Sequence, residues 1–61
     1  MNRVYSLNDR MGFGKHKDLL VSTVIREHPG YIEWCLLNVP GFELDERAQD
    51  EYEYEIEEYY A

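Results

Sequence analysis

The stretch Pro29-Gly30-Tyr31-Ile32-Glu33-Trp34-Cys35-Leu36-Leu37-Asn38-Val39-Pro40-Gly41 decides the fold. Pro29 cannot extend a preceding helix without removing a backbone donor, but its fixed φ suits the first turn of a new one. Between Tyr31 and Val39 only Glu33 and Asn38 are polar, and Ile32, Cys35, Leu36 and Val39 recur at i, i+3, i+4 and i+7. The spacing predicts a helix over about 30–38, ended by Asn38 and Pro40-Gly41. Tyr31, Trp34 and Leu37 widen the stripe until the segment is apolar nearly all round, the pattern of a central, buried element. Phe13, Ile32, Trp34, Cys35 and Leu36 are the expected core. On this reading Trp34→Ala would cost about 3–5 kcal/mol, a large share of what a small domain holds.

On the N-terminal side, Ser22 precedes Val24 and Ile25 and offers a hydroxyl to an orphan amide, so a short helix is expected over about 23–28. Before it, Val4-Tyr5-Ser6-Leu7 is β-prone and closed by Asn8-Asp9. Met11–Gly14 and Leu19–Val21 then flank the polar segment Lys15-His16-Lys17-Asp18. Two apolar runs around a loop containing Gly14 predict a β-hairpin, about 4–21.

On the C-terminal side, Phe42-Glu43-Leu44 leads into Asp45, a good N-cap, with Glu46 complementing the helix dipole. The segment Glu51–Glu57 alternates as a strand would, but as a helix Ala48, Tyr52, Ile56 and Tyr59 share one face. The capped start and this face predict a third helix over about 45–59, with Tyr54 pointing away from the stripe. The expected fold is α+β: one domain, 1–61, with an N-terminal β-hairpin packed on three helices, the last strongly acidic.

Sixty-one residues and 7.3 kDa allow one domain. A compact chain of that mass exposes about 4,200 Å², and a walled pocket of about 300 Å³ is hard to build within it. A non-enzymatic protein is therefore expected. With 44% hydrophobic and 15% aromatic residues the chain should fold rather than remain a solvated tail. No run of about 18 apolar residues could span a membrane, and the first ten residues lack a secretory apolar core. The single cysteine, Cys35, reads as a buried small hydrophobe in a reducing, cytoplasmic compartment. Cys35, His16 and His28 do not share a ligand spacing, so neither a metal nor any other cofactor is expected.

The net charge of −7 is unevenly placed, +2 over residues 1–28 and −9 over residues 29–61. Nine acids lie between Glu43 and Glu58. Such a chain repels a phosphate backbone as a whole, leaving only a local basic patch to meet nucleic acid.

The motif Met11-Gly-Phe-Gly-Lys-His-Lys17, followed by Leu19/Leu20, Pro29-Gly-Tyr31-Ile-Glu-Trp34 and Phe42-Glu-Leu44, resembles the exodeoxyribonuclease X C-terminal-like family. That family's pattern runs Met-x-Phe-Gly-Lys-Tyr/His-Lys-Gly, then Pro-x-Tyr-Leu-x-Trp. The resemblance covers residues 11–44 and implies a β-hairpin on short helices, as an accessory module of DNA-processing enzymes or of phages and mobile elements. The namesake's nuclease domain is missing from this sequence, so its catalytic carboxylates have no counterpart here. Asp18 stands where the family usually has Gly, and Asp tolerates the left-handed region better than most residues.

Two surfaces are therefore candidates. Gly14, Lys15, His16 and Lys17 form a basic loop for phosphate, with Phe13, Tyr31 and Trp34 as possible base-stacking rings if they are not core. Glu51, Tyr54, Glu55 and Glu58 form an acidic aromatic face for a protein partner. The expected function is a binding or adaptor module linked to DNA processing, acting through a protein partner, with weak direct affinity for DNA. The alternatives are a phage-type inhibitor presenting the acidic helix as a nucleic-acid mimic to a basic host protein, or a small assembly or virion component using its aromatics at an oligomer contact.

Overall fold

The computed structural model describes residues 3–61; Met1 and Asn2 of the expected domain lie outside the described residues. The elements run β1 (Arg3–Tyr5), α1 (Val21–Glu27), α2 (Pro29–Asn38), β2 (Phe42–Leu44) and α3 (Glu46–Tyr60). The class is α+β, with three helices and a two-stranded sheet.

The sheet is not the expected hairpin over 4–21. β1 pairs in parallel with β2, setting Arg3 against Phe42, Val4 against Glu43 and Tyr5 against Leu44. The pairing brings the Tyr5 and Phe42 rings to 5.2 Å between centroids, and the edge of Phe13 meets Phe42 at 6.1 Å. These aromatic contacts reward β2 as the partner, while Val21, at the end of the expected second hairpin strand, starts α1 instead. What remains of the hairpin is one antiparallel bridge, Arg10 to Leu20. It is closed by the Met11 amide donating to the Leu19 carbonyl (2.8 Å) and the Asp18 amide donating to the Met11 carbonyl (2.9 Å).

α1 also starts earlier than Ser22 would set it. Leu20 is its N-cap and offers no side-chain hydrogen bond. The first amides find backbone partners instead: Val21 donates to the Asp9 carbonyl (2.8 Å) and Ser22 to that of Leu7 (3.1 Å). The turn after β1 thus does the work of a capping side chain. α2 begins with Pro29 at its first position, as its fixed φ favours. α3 begins as its sequence predicts: the Asp45 carboxylate accepts from the Ala48 amide at 2.9 Å.

The core is built from one side of each helix. Val21, Val24 and Ile25 come from α1, Ile32 and Cys35 from α2, and Ala48 and Tyr52 from α3, with Tyr5, Met11 and Phe42 closing it from the sheet side. Phe13 and Leu36, expected inside, are half-buried against it. Trp34, also expected inside, is 52% exposed, and Leu37 is 77% exposed. At about 100° per residue, Trp34 lies some 200° around the helix from Ile32, on the opposite side. A domain exposing 4215 Å² has layers on one side of α2 only. Tyr59, placed on the inner face of α3 by its spacing, is also exposed, because α3 outruns the core at its C-terminal end.

Trp34→Ala and Tyr54→Ala should therefore each change unfolding free energy by less than about 1 kcal/mol. Ile32→Ala should cost about 2–5 kcal/mol through the cavity it leaves, and Asp45→Ala about 1 kcal/mol through the lost cap. Urea denaturation of the four variants measures this order.

Candidate functional site

The loop between Met11 and Leu19 turns through two left-handed residues, Gly14 (φ +78°) and Asp18 (φ +73°). Asp18 thus holds, without a glycine's freedom, the conformation a glycine would adopt most easily. Its carbonyl accepts from Arg10 Nη1 at 2.8 Å, which pins it. Gly14 is required twice over, since a Cβ there would run into the Tyr31 hydroxyl. The loop therefore lies directly against the first turn of α2.

His28 is the hinge between α1 and α2, with φ −138° and ψ 57°. Its amide donates to the Val24 carbonyl (2.7 Å) and its carbonyl accepts from the Tyr31 amide (3.0 Å), so the ring is held at the corner. There it stacks on His16 of the loop, 4.4 Å between centroids and 23° between planes. His16 in turn meets the Tyr31 ring edge-on at 4.7 Å, and Tyr31 lies 18° from parallel with Trp34 at 6.2 Å. Lys15 Nζ stands 5.9 Å from the Tyr31 centroid, at the outer limit of a cation–π contact. The result is a row of four rings, His28, His16, Tyr31 and Trp34, along one flank of the molecule. It borders an open groove of about 530 Å³ that the C-terminal end of α3 completes. There Tyr59 packs over Gly30, and the Tyr60 hydroxyl donates to Glu33 Oε1.

Burial, then the nearby positive charges of His28 and Lys15, hold the His16 pKa below its usual value. Burial and the neighbouring Cys35 thiol push the Tyr31 hydroxyl up. The Tyr60 hydroxyl is raised chiefly by its hydrogen bond to the Glu33 carboxylate. Around the rings, then, the loop supplies Lys15 and an imidazole on which a proton is disfavoured, and the acid within reach is already engaged.

A second surface lies on α3. Asp50, Glu51, Tyr54 and Glu55, with Leu7 and Arg47, line an open groove of about 390 Å³. Tyr54 is 64% exposed there, pointing outward as its position on the helix predicts. Glu58 is exposed one turn further on, outside that groove.

Of the loop residues singled out by sequence, Gly14, Lys15 and His16 converge on Tyr31, while Lys17 is exposed in the same turn and touches none of the rings. His28, Tyr59 and Tyr60 join the groove without having been singled out. For His28 a signal existed: His28, Tyr31 and Trp34 follow at intervals of three, one flank of a helix. For the two tyrosines there was none short of knowing how α3 crosses α2.

The chain is thus a small α+β module whose loop and second helix bring together an aromatic, weakly basic surface. Residues 11–39, the stretch that builds that surface, match the exodeoxyribonuclease X-like C-terminal family. That stretch carries the family's signature. No curated protein and no solved structure matches the chain.

Gly14→Ala should destabilise the loop against α2, and Tyr31→Phe should restore part of the loss by removing the hydroxyl. The residual is the left-handed strain of about 1–2 kcal/mol; a double-mutant cycle in urea separates the two. The titration of His16 gives a second expectation. Its pKa is depressed in the fold, so the unfolded chain binds the proton first as pH falls. The stability His16 contributes is full above about pH 6.5 and is lost as pH drops through the folded value. His16→Gln should shrink the fall in melting temperature between pH 7.5 and pH 5.

Proposed function

We propose that the chain is a non-catalytic adaptor module associated with DNA processing, which engages a basic protein partner through the outward face of α3. The observation that carries this reading is Tyr54, exposed in a groove walled by Asp50, Glu51 and Glu55. Tyrosine at the centre of a charged rim is a favoured anchor at protein interfaces, and Tyr54 has no part in the core. The nine acids between Glu43 and Glu58 steer a basic surface towards it. The net charge of −7 opposes duplex DNA, so on this reading DNA is reached chiefly through the partner.

Affinity capture from a lysate of the source organism, with and without nuclease, tests it. The expected result is a nuclease-resistant protein partner that is lost when Glu51, Glu55 and Glu58 are all changed to Lys, with circular dichroism unchanged. Capture that disappears on nuclease treatment, or that ignores the charge reversal, overturns the adaptor reading.

A further inference from the structure

We propose that the groove beside Tyr31 and Trp34 binds single-stranded DNA, with an unpaired base stacked on Trp34 and a phosphate beside Lys15. The inference is independent of the face used by the protein partner, which lies on α3.

Three observations converge. Trp34 is 52% exposed on a module this small, where a large ring is expected to be spent on the core, and it fills no cavity. Its plane is fixed near parallel to that of Tyr31, whose own position is fixed by Gly14 and His16. A pre-oriented ring loses little freedom on stacking, which is what makes such platforms effective. The groove volume of about 530 Å³ lies in the range that accepts a small organic ligand, and a nucleotide is one.

Charge completes the match. Lys15 stands over the Tyr31 ring at the rim of the groove, and Lys17 follows it two residues on, both exposed. The one carboxylate in the lining, Glu33, accepts the Tyr60 hydroxyl. Three acids of α3, Asp50, Glu51 and Glu55, lie instead around Tyr54, in the separate groove shared with Leu7. A duplex is a poor fit, because its bases hide their faces from an exposed indole and its higher charge density meets the −7 of the whole chain. A protein ligand would find a single lysine and a ring plane but no deep apolar pocket. Among single strands, the match of residues 11–39 to the C-terminal region of an exodeoxyribonuclease favours DNA.

Trp34 is the only tryptophan, so its fluorescence reports on the site directly. An oligothymidylate of about ten nucleotides, titrated at low salt, should quench it saturably. An abasic strand of equal length, carrying the same phosphates, should not. By anisotropy of the labelled strand, Trp34→Ala should weaken binding roughly tenfold or more, and Trp34→Phe should restore part of it, both with unchanged circular dichroism. Lys15→Ala should flatten the salt dependence by about 0.7 in slope. Reversing Glu51 and Glu55 should leave the Trp34→Ala effect intact, which keeps this test apart from that of the protein face. Equal quenching by the abasic strand, unaltered affinity in Trp34→Ala, or tighter binding of duplex or of an oligouridylate would overturn the proposal.

Discussion

The parallel pairing of β1 with β2 is the constraint on which the rest of the molecule depends. Three residues a side would not persist alone in water. They are held by the Tyr5–Phe42 ring contact and by the residue that follows β2. The Asp45 amide donates to the Tyr5 carbonyl at 2.9 Å, while its carboxylate caps the first turn of α3. One residue therefore ends the sheet and starts the longest helix, fixing its direction relative to everything before it. α1 and α2 fill the space between the strands because the crossover has to be covered on its apolar side.

Core size explains why the surface looks as it does. With one layer of packing available, α2 buries Ile32, Cys35 and Pro29 on one side and leaves its other side to solvent. An apolar sequence on a half-buried helix produces an exposed aromatic surface without any further device. The loop then docks against that surface, because Gly14 lets it approach Tyr31 and the two histidines stack across the corner. Acidic charge gathers on the helix furthest along the chain, so the two surfaces differ in both chemistry and place.

The second and third helices were legible in the sequence because each carried a signal of its own: Pro29 at the entry and Pro40-Gly41 at the exit of α2, Asp45 at the cap of α3. The sheet was not. Val4-Tyr5 and Phe42-Glu43-Leu44 are too short to specify a partner, and the nearer apolar run at Leu19–Val21 offered a more local pairing. Its choice of helix over strand rests on carbonyls of Leu7 and Asp9 that no local pattern reveals. For the candidate site, the loop residues could be found from composition and from the family motif. Trp34 has the bulk of a core residue, but its spacing from Ile32 sets it on the far side of the helix. His28 shares a helix flank with Tyr31 and Trp34 in the sequence, but its ring contact with His16 is a tertiary fact.

The sheet also sets the order in which the chain can assemble. Arg3 and Phe42 face each other across thirty-nine positions, and closing such a span costs on the order of 3 kcal/mol in chain entropy. Three residue pairs cannot offset that unaided. The strands therefore cannot nucleate folding; α1 and α2, neighbours in sequence, must first fold back on each other and shorten the gap. Folding should accordingly be slower than in an all-helical chain of this length, whose contacts are local. Because α3 is launched from the closed sheet, its acidic face takes up a fixed position only once the whole chain has folded. A half-folded chain would show a partner the charges without the geometry.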